Sequence, residues 1–138
     1  MNRQLKFRVW DKITNQYLQE LGIYYWHILY SLDGEEIIGE ANLVGLSELL
    51  RHDNFVVQQY TGLTDKNGNL IFDGDIVQYN QNSSYDNMDF IAKWSDDKLG
   101  FIFQSNSGEQ LVNQTPHLNR FKHLEVVGNI FEHSELLN

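Results

Sequence analysis

The sequence predicts a mainly β protein, a β-rich α+β chain whose C-terminal part closes into a small, strongly bent barrel. Three observations lead there. The 138 residues hold a single proline, ten glycines and many aromatic and β-branched residues, the composition of strands joined by tight turns. Short runs with strand patterning recur along the chain, separated by polar or glycine-bearing turns, with neither an internal repeat nor a low-complexity linker. Near the middle, two reversals fall so close together that the strand between them is only a few residues long, and a bent barrel is the natural way to bury strands that short.

Taken in order, LKFRVW (5–10) sets Leu5, Phe7 and Val9 against Lys6 and Arg8, the period of a half-buried strand. Residues 11–16 read as a turn. The segment 21–32 is continuously apolar and aromatic, and its β-branched and aromatic content favours one strand over a helix. Asp33 and Gly34 begin a turn into a second extended piece over 36–45, giving a hairpin. Ser47 is placed to cap a short helix, with Glu48 in its first turn where the dipole favours an anion, and Asn54 ends it. Residues 55–63 form the next strand. DIVQY, MDFIAKW, GFIFQ and LEVVGNIF follow as further strands, and Ser134 opens a single helical turn near the end.

The most distinctive stretch is QYTGLTDKNGNLIFDGDIV (59–77). Asn67-Gly68 is a strong hairpin signal, because both residues tolerate the positive φ that a type I′ turn requires. Asp73-Gly74-Asp75 is a second reversal that delivers Ile76, Val77 and Tyr79 into another strand. The carboxylates invite a metal reading, but the calcium-loop spacing is met only in part by Asp65, Asn67, Gly68 and Asn69. The glycine comes two places early, and apolar Leu70, Ile71 and Phe72 follow. Asp73 and Asp75 are therefore read as turn residues that cap backbone N–H groups. The alternative, a metal-dependent hydrolase using Asp73 and Asp75, is the least favoured.

Other chemistry finds no anchor. With no cysteine there is no disulfide, thiolate metal site or cysteine nucleophile. His27, His52, His117, His123 and His133 show no zinc spacing, and packing roles are expected for them. A G-x-S-x-G elbow, a P-loop and a dinucleotide fingerprint are all missing. No metal or cofactor is expected, and the chain reads as a non-enzyme. The N-terminal residues lack the apolar core of a signal peptide, and no apolar run approaches the roughly 20 residues of a membrane span, so a cytoplasmic setting without membrane contact is the default.

The net charge of −9 is unevenly spread. Residues 1–12 carry four basic side chains and one acid, whereas 13–92 carry two basic side chains, Arg51 and Lys66, against twelve acids. Generic nucleic-acid binding is disfavoured by that repulsion, with only local patches at Arg3, Lys6 and Arg8 or at Arg120 and Lys122 to support it. The favoured reading is a solvated acidic surface. Trp10, Trp26 and Trp94, with seven Tyr and eight Phe, are read first as core, and second as a stacking or peptide-binding platform that Tyr24, Tyr30 or Tyr79 could serve.

Three blocks, KFRVWDKITNQYL, QYTGLTDKNGNLIFDGDIV and EVVGNIFEHSELL, with an IAKW segment between the last two, resemble the YopX family of bacteriophage and prophage proteins, whose function is uncharacterised. The resemblance spans nearly the whole chain. It implies one YopX-like domain over 1–138, with residues 1–54 as an N-terminal lobe and 55–138 as an SH3-like barrel. It also implies turn roles for Gly62, Asp65, Asn67, Gly68, Gly74 and Asp75, interior positions for Ile71, Ile76, Val77, Val127 and Ile130, and assembly of several subunits.

The function expected is that of a phage or prophage accessory protein in the bacterial cytoplasm, a non-enzymatic binding module that forms a homo-oligomer and engages a host or phage protein. The alternative is nucleic-acid binding or acidic DNA mimicry. The candidate interaction surface is the acidic segment Asp33, Glu35, Glu36 and Glu40 with aromatic Tyr24, Trp26 and Tyr30, because this region lies outside the motif blocks.

Overall fold

The computed structural model describes residues 6–24, 27–31, 43–45, 53–111 and 120–137, with side chains left out over 19–31 and 43–45. Among these residues strands dominate, and the only helices are two short 3-10 turns. The strands are β1 (Phe7–Asp11), β2 (Gln16–Tyr17), β3 (Gln19–Tyr24), β4 (His27–Ser31), β5 (Leu43–Gly45), β6 (Phe55–Thr64), β7 (Leu70–Phe72), β8 (Asp75–Gln78), β9 (Asp89–Ser95), β10 (Gly100–Gln104) and β11 (Glu125–Asn129). The pairs β1–β2, β3–β4, β4–β5, β6–β7, β8–β9, β8–β11 and β9–β10 are all antiparallel. This is the β-rich architecture that the sequence predicts. The chain divides into two compact units, Phe7–Gln58 and Met1–Lys6 with Gln59–Asn138.

In the first unit, β2, β1 and the start of β6 lie side by side. Val9, Trp10 and Asp11 are buried together, so strict alternation fails at the end of β1. The reason is local: Trp10 packs edge to face on Tyr17 at 4.9 Å, and Asp11 Oδ1 accepts the Ile13 N–H at 2.9 Å to close the turn. Gln58 is 2% exposed and accepts from Arg8 Nε at 2.8 Å and Tyr17 Oη at 3.0 Å. The segment expected as one strand over 21–32 is instead two. Tyr24 pairs with His27 and Gln19 with Ser31, and β5 adds to β4 as a third strand. An unbroken apolar run has no period to mark a reversal, and a short hairpin hides such a run as well as one long strand does. The extended piece expected over 36–45 is described only at 43–45, and the expected helix from Ser47 lies outside the described residues.

The second unit is a half-barrel. A four-stranded sheet in the order β10-β9-β8-β11 and the ribbon of β6 and β7 share one core of Ile71, Val77, Tyr79, Phe90, Ala92, Phe103, Leu111 and Leu124, with Leu63, Tyr85, Met88, Phe121 and Val126 packed on it. Every strand of the unit contributes to that core. Two bulges produce the bend. Tyr60 pairs with Phe72 and Thr64 with Leu70, so β6 carries two extra residues around Gly62, whose φ is +90°. In β11, Val126 pairs with Val77 and Gly128 with Ile76, which leaves Val127 as the extra residue. Bulges of this kind increase twist and re-aim a strand. They also explain why Val127, expected inside, is only half-buried, as is Ile130.

Candidate functional site

The two reversals of 59–77 carry the acids that the sequence reads as turn residues, and the structure engages the carboxylates of Asp65 and Asp75 with backbone N–H groups. In the first, Asp65 N donates to Asn69 O at 2.8 Å and Gly68 N to Asp65 O at 3.1 Å. Gly68 has φ +84°, while Asn67 is not among the positive-φ residues. The turn is therefore not the expected type I′. It has the pattern of a right-handed turn closed by a left-handed glycine, the usual three-residue hairpin loop with a G1 bulge. The Asp65 side chain explains the difference, because its Oδ1 accepts from Asn67 N at 2.9 Å and Asn69 N at 2.8 Å and holds the loop in the right-handed form.

The other oxygen reaches further. Asp65 Oδ2 accepts from Asn69 Nδ2 at 3.3 Å and from Val126 N, 61 residues away, at 3.0 Å. Beside it, Lys66 N donates to Leu124 O at 2.8 Å, and Lys66 Nζ pairs with Glu125 at 3.0 Å on the surface. Asp65 is 5% exposed. Burial of its carboxyl pushes the pKa up, but the N–H groups of Val126, Asn69 and Asn67 and the amide of Asn69 outweigh that and hold it below the ordinary aspartate value. A carboxylate so placed is a clamp that ties the β6–β7 loop to β11, and its lone pairs are already engaged.

The second reversal is built the same way. Asp75, 2% exposed, accepts from Phe72 N at 2.8 Å through Oδ2. Gly74, at φ +86°, sits between strands: its N–H donates to Ala92 O at 2.7 Å and its carbonyl accepts from Ile130 N at 2.9 Å. Asp73 contributes its backbone N–H to Gln59 O at 2.8 Å. Among the described residues, no three His, Asp or Glu side chains converge on a point where a metal ion could sit.

Of the candidate interaction surface, Tyr24 lies on β3 and Tyr30 on β4, where Tyr30 pairs with Glu20 and Val44. Trp26, Asp33, Glu35, Glu36 and Glu40 lie outside the described residues, as do His52 and His117.

Sequence reasoning missed two arrangements. Ser105–Glu109 repeats the Asp65 loop: Ser105 N donates to Glu109 O at 2.8 Å, Gly108 N to Ser105 O at 3.0 Å, and Ser105 Oγ accepts from Glu109 N at 3.1 Å. The shared signal is a capping side chain three residues before a glycine. The other is at the C-terminal block, where the His133 ring covers the Gly128 backbone and its Nδ1 accepts from Asn129 N at 3.2 Å. A Cβ built on Gly128 would stand 2.7 Å from His133 Cγ.

The fold has known relatives. The chain is similar to protein EF1440 from Enterococcus faecalis at 26% identity and a TM-score of 0.63, covering 99% of this chain and 100% of that one. It also superposes on protein yopX from Bacillus subtilis at 19% identity and a TM-score of 0.54, again over 99% and 100% of the two chains, a likeness of fold. No curated protein matches the chain significantly. The family description "YopX protein" matches residues 6–138, the span that contains both bulges, the Asp65 clamp and the Gly128–His133 contact, and the chain belongs to the YopX family.

Proposed function

We propose that this protein is a non-enzymatic binding module, a phage- or prophage-encoded accessory protein that associates with itself and engages a host or phage protein in the bacterial cytoplasm. The observation that carries this reading is the use made of Asp65: this buried acid of the family's signature stretch accepts four hydrogen bonds from its own chain and so builds the scaffold. With Asp75 capping Phe72, the motif's buried acids hold turns, and function falls to surfaces carried by the half-barrel and the N-terminal unit. The acidic segment Asp33–Glu40 is the proposed partner surface, since it lies outside the signature blocks and carries four acids in eight residues.

The test is affinity capture from lysate of the native host, with and without nuclease, read by mass spectrometry for protein and by absorbance for nucleic acid. A protein partner that survives nuclease and is lost when Asp33, Glu35, Glu36 and Glu40 are replaced by Asn or Gln supports the reading. Recovery of nucleic acid alone, released by a modest rise in salt, would replace it with binding through the basic patches.

A further inference from the structure

The β9–β10 hairpin carries an apolar surface that the half-barrel leaves uncovered. Ala92 pairs with Phe103 and Trp94 with Phe101. Side chains two apart on a strand share a face, so Trp94 and Phe101 continue the core-facing side of Phe90, Ala92 and Phe103 beyond the core itself. There they meet edge to face at 5.3 Å, and Trp94 remains 46% exposed. At the tip, Leu99 is 79% exposed with φ +51°. Exposure and the left-handed conformation both count against leucine, and glycine or asparagine would occupy the position with less strain. A strained, exposed apolar side chain at the tip of a hairpin that also carries an exposed tryptophan is an outlier that the isolated unit does not explain.

The charges around the patch point to what covers it. The exposed charged residues at the tip of the hairpin are Asp96, Asp97 and Lys98, both signs side by side in a chain of net charge −9. Asp96 Oδ1 accepts from Trp94 Nε1 at 3.0 Å, Lys98 Nζ donates to Gln110 Oε1 at 2.5 Å, and Lys93, one residue from Trp94 along the strand, lies on the opposite face. Two copies of so acidic a chain repel each other over most of their surface, and less where a lysine stands beside the acids. A two-fold contact also requires a patch that is complementary to itself, which a mixed lysine and aspartate rim around an apolar centre provides.

We propose that the β9–β10 hairpin is the self-association surface, with Trp94, Phe101 and Leu99 packed against the same residues of a second copy about a two-fold axis and Lys98 facing Asp97 across it. This rests on the self-association included in the function proposed above and gives it a place.

Sedimentation over a concentration series tests it. The wild type is expected to be a concentration-dependent dimer. Leu99→Asn should raise the dilute protein's melting temperature by relieving the left-handed leucine, and should weaken the dimer; Trp94→Ser should weaken it about tenfold or more. Lys98→Asp and Asp97→Lys should each weaken self-association, and an equimolar mixture of the two should restore a heterodimer, because both salt links then re-form. A wild type that stays monomeric up to its solubility overturns this inference together with the self-association reading. A wild-type oligomer that none of these substitutions changes overturns the hairpin alone and leaves self-association standing.

Discussion

Replacing Asp65 with alanine removes the acceptor for four donors: Asn67 N, Asn69 N, Asn69 Nδ2 and Val126 N. Asn67 and Asn69 are exposed, so water can take over as their acceptor and their loss is partial. Val126 is half-buried, and its N–H loses a charged partner with less access to water. Hydrogen bonds to charged groups contribute about 1.5–3 kcal/mol and a stranded donor costs about 1–3 kcal/mol, so Asp65→Ala should lower the unfolding free energy by about 3 kcal/mol. Asp65→Asn should cost about 2 kcal/mol, since its Nδ2 presents a donor to the Val126 N–H where an acceptor is needed. The sign with pH follows from the lowered pKa. The clamp's contribution is complete above the unfolded aspartate value of about 3.9 and is lost as pH falls through the lower folded value, so the gap between wild type and Asp65→Ala should narrow only in that acid range. Urea unfolding followed by tryptophan fluorescence between pH 7 and pH 3 measures both effects. A change below about 0.5 kcal/mol at pH 7, the range of ordinary surface substitutions, would refute the clamp.

Two further predictions concern the bulges. Gly128→Ala forces a methyl group to 2.7 Å from His133 Cγ and 2.8 Å from His133 Cβ, a contact near the root of the histidine side chain that rotation cannot relieve. It should cost about 2–3 kcal/mol, and Gly128→Ala with His133→Ala should recover about 1 kcal/mol in a double-mutant cycle by urea unfolding; strict additivity would mean that the two do not touch. At Gly62 a Cβ would meet nothing within 4 Å, but φ is +90°, so Gly62→Ala should cost about 1–2 kcal/mol from backbone strain alone. Gly62→Asn, which tolerates positive φ better, should cost less in the same urea unfolding, and equal losses would point to packing instead.

The strands of the half-barrel were legible because each carries β-branched or aromatic residues and is set off by polar or glycine-bearing turns; GFIFQ corresponds to β10 residue for residue. What sequence could not show was pairing. The 21–32 run divides into β3 and β4 with Tyr24 opposite His27, and no Asn-Gly or similar pair marks the reversal. Register shifts were equally hidden, since Val127 reads as one more apolar strand residue until its neighbours are seen to pair with Val77 and Ile76. The turn at Asn67-Gly68 was found in the right place with the wrong hand, because the residue that sets its hand, Asp65, acts through hydrogen bonds across the loop that dipeptide preferences ignore. The Trp94–Phe101 contact depended on which strand lay opposite, so sequence assigned the tryptophans to the core as a set.

The two copies of the same loop separate what a turn needs from what the barrel needs. Both place a left-handed glycine at the fourth position, Gly68 at φ +84° and Gly108 at φ +91°, and both use a side-chain oxygen at the first position to hold the N–H of the fifth. A serine suffices at 105, so the aspartate at 65 is not required by the turn. Its second oxygen, the one that reaches Val126 N at 3.0 Å, is what serine lacks. Asp65→Ser should therefore keep the local loop while losing the link to β11, at a cost of about 1–2 kcal/mol, and Ser105→Ala should cost about 0.5–1 kcal/mol because only a local bond is lost. Amide exchange distinguishes the two consequences. In Asp65→Ser the Val126 N–H should exchange faster while the Asp65 N–H, held by Asn69 O, keeps its protection. If both lose protection together, the hairpin and the closure to β11 form a single cooperative unit, and the aspartate's two oxygens cannot be given separate roles.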